Sequence, residues 1–108
     1  MSGMDDREKA FENKFAHDAE MQFKADARCN KHLGLWLASR FGLSGDEAAD
    51  YAKTVVASDL KEAGHEDVIE KVMLDIAKYK VDVSEADVRA KMAEFRVQAK
   101  DELMKEAG

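Results

Sequence analysis

The chain has 108 residues, enough for one small domain with a modest core. Hydrophobic residues make up 45% of it and charged residues 37%, which excludes wholesale disorder, and no apolar run is long enough to span a bilayer. The net charge of −6 argues against a general nucleic-acid binder, because phosphate binding needs clustered Lys and Arg.

The beginning of the chain carries a short apolar patch that is separate from the rest. Phe11 and Phe15 lie one helical turn apart. Three polar residues interrupt the apolar stripe after them: Asp18, Gln22 and Asp26. Charged residues surround the patch: Asp5, Asp6, Arg7, Glu8, Lys9 and Glu12. We therefore predict that residues 1–20 form a mobile arm that packs onto something else, and that residues 21–108 form a globular domain.

Helical spacing of apolar residues continues through the remaining chain and predicts helices near 5–41, 45–63, 66–80 and 85–106. Capping signals support these limits: Gly42 and Gly64 as C-terminal caps, and the pairs Ser44 with Glu47 and Ser84 with Asp87 as capping boxes. The alternating stretch at 81–83 is too short for a strand and is predicted to be a turn. Short connections favour antiparallel neighbours. The predicted fold is all-α, a four-helix bundle with a long first helix whose N-terminal part is the mobile arm.

Large aromatic residues are predicted to form the centre of the core, with Trp36 meeting Phe41 and Phe95. The helix that contains Trp36 is expected to join the bundle from about Phe23 onward. Gly34 lies inside this helix, where glycine costs about 1 kcal/mol relative to alanine. We therefore expect Gly34 to permit a close helix approach or a local bend.

Metal binding and catalysis find little support in the sequence. Cys29 and His32 are three positions apart, but zinc sites need three or four protein ligands, and His17 and His65 have no fixed relation to the pair. The loop at 42–45 lacks the lysine of a phosphate-binding loop. Carboxylates are spread over predicted solvent faces. We expect neither a metal site nor an enzyme.

The residues before position 20 contain no apolar run or cleavage site typical of a signal peptide, and the single Cys29 cannot form an internal disulfide. We therefore expect a reducing, cytoplasmic location.

The charged N-terminal string at residues 5–20 is not a generic helical sequence: Asp-Asp-Arg-Glu-Lys-Ala-Phe-Glu-Asn-Lys-Phe-Ala-His-Asp-Ala-Glu. Together with Leu-Gly-Leu-Trp at 33–36 and Val-Arg-Ala-Lys-Met at 88–92, it resembles the zeta subunit family, the small ATPase inhibitors of alphaproteobacterial F-type ATP synthases. The similarity extends across essentially the whole chain.

This resemblance implies a four-helix protein whose N-terminal segment enters a catalytic interface of the ATP synthase head, among the alpha, beta and gamma subunits, and blocks ATP hydrolysis. Phe11 and Phe15 would be the apolar anchors. The polar contacts would come from the residues around them: Asp5, Asp6, Arg7, Glu8, Lys9, Glu12, Lys14 and His17. The free protein is expected to be monomeric, and the bound protein to lie at the inner face of the cytoplasmic membrane without inserting into it.

Three alternatives stay open at this point. The arm can fold back on its own bundle when the protein is free. The chain can be a non-inhibitory or weakly inhibitory nucleotide-binding or interaction module of the same complex, with no cofactor other than weakly bound ADP or ATP. The nucleotide would bind through the basic residues of the first helix, unless these only offset the acidic surface: Lys24, Arg28, Lys31 and Arg40. A helical adaptor unrelated to ATP synthase is the third alternative.

Overall fold

The computed structural model describes residues 19–59 and 66–107, and these residues form four helices. They are α1 (Ala19–Arg40), α2 (Gly45–Ala57), α3 (Glu66–Tyr79) and α4 (Glu85–Ala107). No strand occurs in the described ranges, and residues 81–83 lie in the connection before α4. The prediction of an all-α bundle is therefore confirmed. The predicted start of the first helix at residue 5 and the predicted cap at Gly64 lie outside the described residues.

The helix α1 is central to the bundle, because it packs against both α2 and α4. The helix α3 contacts α2 and α4. Branched aliphatic side chains from all four helices fill the interior, the largest being Leu33, Leu37, Val55, Val68, Val72 and Val88. The core therefore forms where the apolar stripes of the helices face one another.

Two helices end in left-handed residues that close them with paired backbone hydrogen bonds. After α1, Gly42 has a φ of 81°, and the Leu43 N–H donates to the Ala38 carbonyl at 2.9 Å. After α3, Lys80 takes the same role with a φ of 56°. The end at Gly42 was predicted, because glycine adopts this conformation without steric cost. The end of the third helix near residue 80 was also predicted, but the left-handed conformation of Lys80 was not, since a lysine gives no such signal.

The two predicted capping boxes have different outcomes. At the start of α4, the Asp87 N–H donates to Ser84 Oγ and the Ser84 N–H donates to the Asp87 carboxylate, both at 3.1 Å. This box is confirmed. At the start of α2, Ser44 has the extended backbone of an N-cap, but its side chain makes no capping hydrogen bond. The prediction of a box with Glu47 is wrong in that respect.

The predicted extension of the second helix to residue 63 is also wrong, because α2 ends at Ala57. The Ser58 hydroxyl donates to the Val55 carbonyl at 2.6 Å, and Ser58 and Asp59 form a turn. This turn brings the Asp59 carboxylate within 2.9 Å of the Asn30 side-chain nitrogen, which donates to it. Asn30 is only 1% exposed, so the turn provides the hydrogen-bond partner that its buried side-chain amide requires.

Gly34 allows a close approach of two helices, as predicted. A Cβ at this position would lie 2.6 Å from the Ala52 Cα. The helices α1 and α2 therefore meet backbone to backbone, and a side chain at position 34 would force them apart.

The prediction of an aromatic core centre is wrong. Trp36, Phe41 and Phe95 are only half-buried and pack against the edge of the aliphatic core. The Trp36 ring lies 5.7 Å from the Arg40 guanidinium and 5.8 Å from the Lys91 ammonium. Because α1 and α2 approach so closely at Gly34, the interior between them suits branched aliphatic side chains better than an indole ring.

The beginning of α1 already belongs to the bundle. Ala25 is 1% exposed and packs with Leu103 and Met21 in a second small cluster between α1 and α4. Asp26, predicted to lie in a break between two apolar patches, forms an ion pair with Arg96 of α4 at 2.9 Å. Gln22 lies within the same continuous helix. The polar interruption therefore does not interrupt the helix over the residues described.

None of the helices in the described ranges combines the length and the apolar character that crossing a bilayer requires.

Candidate functional site

The predicted partner-binding residues of the arm lie outside the described residues: Asp5, Asp6, Arg7, Glu8, Lys9, Phe11, Glu12, Lys14, Phe15 and His17. The surface next to them in the chain is the first part of α1, which begins at Ala19. The functional geometry that the structure does describe is therefore built on α1 and its neighbours.

Three of the four predicted basic residues lie together on α1. Lys24, Arg28 and Lys31 are spaced by four and three positions, which places them on one helix face. They line a surface groove of about 670 Å³ between α1 and the C-terminal ends of α2 and α4. Its remaining lining residues are Met21, Phe23, Ala27, Val56, Leu103 and Glu106. We call this surface the basal groove.

Arg40, the fourth predicted basic residue, does not belong to the basal groove. It lies at the other end of α1, where its guanidinium stacks near the Trp36 ring. Lys24 and Arg40 are sixteen positions apart, which places their side chains on opposite faces of an ideal helix. The prediction that all four basic residues occupy neighbouring positions is therefore wrong for Arg40.

The charges in the basal groove are not equivalent. Arg28 donates hydrogen bonds to both oxygens of Glu106 and lies 3.7 Å from Glu102. The hydrogen bond from Arg28 lowers the pKa of Glu106, and the bond with Glu106 raises the pKa of Arg28. Lys24 forms an exposed i, i+4 pair with Glu20 at 3.3 Å. Arg28 is thus fixed by α4, while Lys24 is held only by a weak surface pair.

A second groove continues from the first along the contact between α1 and α2. It has a volume of about 460 Å³ and is lined by Lys31, Leu35, Ala49, Ala52, Lys53, Val56 and Ala57. Lys31 and Val56 line both grooves. We call the second surface the upper groove. Its floor is formed by small and aliphatic side chains, and lysines stand at its rim.

Sequence reasoning missed the apolar part of these grooves. Phe23 was expected to join the packed part of the helix, but its side chain is 63% exposed. Leu35 is 37% exposed and was not singled out. The helical spacing gave no signal for Phe23, because at 100° per residue it falls between the buried positions Leu37 and Gly34 around the helix.

Cys29 and His32 have separate protein partners. The Cys29 thiol is buried and donates to the Met92 carbonyl at 3.4 Å, and burial raises its pKa to about 11. His32 Nε2 lies 3.0 Å from Glu102 Oε1. Over the described ranges no group of three or more His, Cys, Asp or Glu side chains has an arrangement that holds a metal ion.

Comparisons with known proteins agree with the resemblance drawn from the sequence. A family model described as ATPase inhibitor subunit zeta matches residues 1–102. A solved structure described as a solution NMR structure of a protein has 52% sequence identity and a TM-score of 0.71, and the match covers 80% of this chain and 98% of that chain. No curated protein matches the chain. Since the family model spans almost the whole sequence, the chain belongs to the ATPase inhibitor subunit zeta family.

Proposed function

We propose that this protein inhibits the F-type ATP synthase by placing its N-terminal segment, residues 1–20, in a catalytic interface of the head, where it blocks ATP hydrolysis. The observation that carries this proposal is the family match, which begins at residue 1 and therefore includes the segment with Phe11 and Phe15. The role is regulatory rather than catalytic.

The chemistry of the segment supports this role. Two phenylalanines one turn apart offer a compact apolar anchor, and such anchors dominate binding energy when they are desolvated in a cleft. The charged side chains around Phe11 and Phe15 set orientation and the rate of capture. Ordering the segment costs roughly 1 to 2 kcal/mol per residue, so the contact with the head must exceed that cost.

The bundle supplies a rigid base for the segment. The helix α1 begins at Ala19 and is anchored by side chains that are fully buried further along, including Leu33 and Leu37. In this proposal the bundle stays outside the catalytic interface, in contact with the alpha, beta and gamma subunits through the segment. The inhibitor is a monomer when free, and it lies in the cytoplasm at the inner face of the membrane when bound.

The test measures ATP hydrolysis by the purified cognate ATPase with three forms of the inhibitor. The double variant Phe11→Ala with Phe15→Ala and a truncation lacking residues 1–18 should both lose most of their inhibition. Circular dichroism melts should show nearly unchanged Tm values, since the buried core lies beyond these positions. The matched control is Leu74→Ala with Val97→Ala, which removes two side chains that are 68% and 70% exposed elsewhere on the bundle.

The control variant should inhibit like the wild type. Full inhibition by the truncated protein would contradict the proposal, because the effector would then lie on the bundle.

Weak binding of ADP or ATP is a second candidate function. It is favoured by the position of Lys24, Arg28 and Lys31 along one groove of about 670 Å³. Binding should weaken as salt rises, because exposed ammonium groups act as screened charges. An NMR titration with ADP at low and high salt tests this. Chemical-shift changes confined to α3 would remove the basal groove from consideration.

A further inference from the structure

A strip of exposed and partly exposed apolar side chains lines the two grooves. It consists of Phe23, Ala27 and Leu35 on α1 and Val56 on α2, and we call it the docking strip. Phe23 is 63% exposed and Leu35 is 37% exposed. Exposed apolar side chains of this size lose the favourable free energy of burial, and a group of them commonly marks a contact with another molecule.

The docking strip is continuous rather than a set of isolated residues. The basal groove, of about 670 Å³, and the upper groove, of about 460 Å³, share Lys31 and Val56. The strip therefore forms one elongated surface on the outside of the bundle, which winds about a third of the way around α1 between Phe23 and Leu35. An elongated apolar trough of this shape matches the apolar face of a helix.

The upper part of the docking strip has a basic rim in an otherwise acidic protein. In the basal groove Glu20, Glu102 and Glu106 offset Lys24 and Arg28, whereas the ionisable residues that line the upper groove are two lysines, Lys31 and Lys53. The whole chain carries −6. Lys31 and Lys53 flank the upper groove, and Lys53 has only a long contact of 3.9 Å with Asp50. This charge favours an acidic partner and disfavours a basic one.

The chain itself limits where the docking strip lies during inhibition. If residues 5–17 occupy the catalytic interface, Phe23 follows the last of them by six positions. Six residues span at most about 20 Å even when fully extended. The docking strip therefore starts within that distance of the bound segment, whatever conformation the intervening residues adopt.

We propose that the docking strip is a second contact surface for the ATPase head, occupied by a helix that has an apolar face and acidic flanks. This inference rests on the proposed function, because the short connection to the inhibitory segment places the strip beside the head. The second contact forms on an already tethered inhibitor, so it adds to the lifetime of the complex more than to the rate of capture.

The first experiment changes only the apolar residues. In the full-length protein, Phe23→Gln with Leu35→Gln should raise the rate of dissociation from the purified ATPase by about tenfold, measured as recovery of hydrolysis after dilution. The control is Leu74→Gln with Val97→Gln, which changes two apolar residues outside the strip that are 68% and 70% exposed. The control should dissociate within about twofold of the wild type, and circular dichroism should show that both variants are folded.

The second experiment changes only the charge. Lys31→Glu with Lys53→Glu should weaken inhibition strongly at low salt and less at high salt, because the reversed rim would repel an acidic helix. Lys78→Glu with Lys105→Glu makes the same change in net charge on exposed lysines outside the grooves and should have little effect. Equal effects of the two pairs would overturn the assignment of an acidic partner.

Other results would overturn the proposal in identifiable ways. Unchanged dissociation of the Phe23→Gln, Leu35→Gln variant would show that the docking strip does not touch the head. Stronger inhibition by that variant would show that the strip holds the chain's own N-terminal segment, and a dimer of the wild type that this variant abolishes would show that it holds a second copy. If the Phe11→Ala, Phe15→Ala variant still inhibits, the proposed function fails instead, so the two failures are distinguishable.

Discussion

The two halves of α1 are held in the bundle by different forces. In the C-terminal half, Leu33, Leu37 and Ala38 are all 0% exposed, and Gly34 meets α2 at backbone distance. In the N-terminal half, Ala25 and Cys29 are each 1% exposed and packed against α4, while Phe23 is 63% exposed. Aliphatic packing therefore dominates one half, and the other half leaves a large apolar side chain in water.

Helix length explains this difference. The 22 residues of α1 span about 33 Å, whereas the 13 residues of α2 span about 20 Å. Because α2 ends at Ala57, it covers the C-terminal half of α1 and stops beside the other half. The 23 residues of α4 are long enough to follow α1 throughout, and ion pairs such as Asp26 with Arg96 hold that side. One helix can thus combine a stable anchor with a surface available for recognition.

The largest expected effect contrasts the two halves directly. Leu37→Ala should lower the free energy of unfolding by about 2 to 5 kcal/mol, since it opens a cavity in a fully buried site. Phe23→Ala should change it by no more than about 0.5 kcal/mol despite removing a larger side chain. Urea denaturation followed by circular dichroism measures both. Similar losses from the two variants would mean that Phe23 is packed in solution.

The next-largest expected change in stability comes from the helix contact at Gly34. Gly34→Ala should destabilise the bundle by about 1 to 3 kcal/mol, because the new methyl group meets the Ala52 backbone, even though alanine favours helices. Ser39→Ala, on an exposed position of the same helix, is the control and should change stability little. A stabilised Gly34→Ala variant would refute the close contact between α1 and α2.

Replacing Trp36 tests whether its ring lies at the edge of the aliphatic core. Trp36→Ala should cost about 1 to 2 kcal/mol, because a half-buried ring loses only part of the 3 to 5 kcal/mol that a buried tryptophan loses. The measurement is the same urea titration, with Leu37→Ala as the reference. A loss larger than that of Leu37→Ala would restore the aromatic ring to the centre of the core.

The smallest effect concerns the charged contacts between α1 and α4. Hydrogen bonds from His32 and Gln98 hold the pKa of Glu102 below its usual value of 4.5. A carboxylate with a lowered pKa in the folded state stabilises the fold above its unfolded pKa, and this contribution is lost as the pH falls through the folded value. The wild type should therefore exceed Glu102→Gln in stability by less than about 1 kcal/mol at neutral pH.

That difference should disappear in acid, below the folded pKa of Glu102. Thermal melts of both proteins at neutral and acidic pH measure it. A difference that persists unchanged in acid would show that Glu102 acts through packing rather than through its charge.

Local sequence signals determined the helical class, the positions of the four helices and, to within one residue, their described limits other than the start of α1 and the end of α2. Periodic apolar residues predict helices because each helix must bury one face, and Gly42 and Ser84 act through contacts within a few residues. The close helix contact at Gly34 could also be predicted locally, because a glycine inside a strong helical pattern destabilises the helix unless it permits a close approach or a bend. Residues 5–20 likewise identified the family from their own pattern.

Only the tertiary structure decided which apolar residues became core and which stayed on the surface. The periodicity of α1 cannot show that α2 stops at Ala57, because that end depends on Ser58 and on the distant pair of Asn30 with Asp59. It therefore cannot show that Phe23 is exposed or that Trp36 lies at the edge. Burial depends on which helix covers which length of its neighbour, and that is set by contacts between residues far apart in the chain.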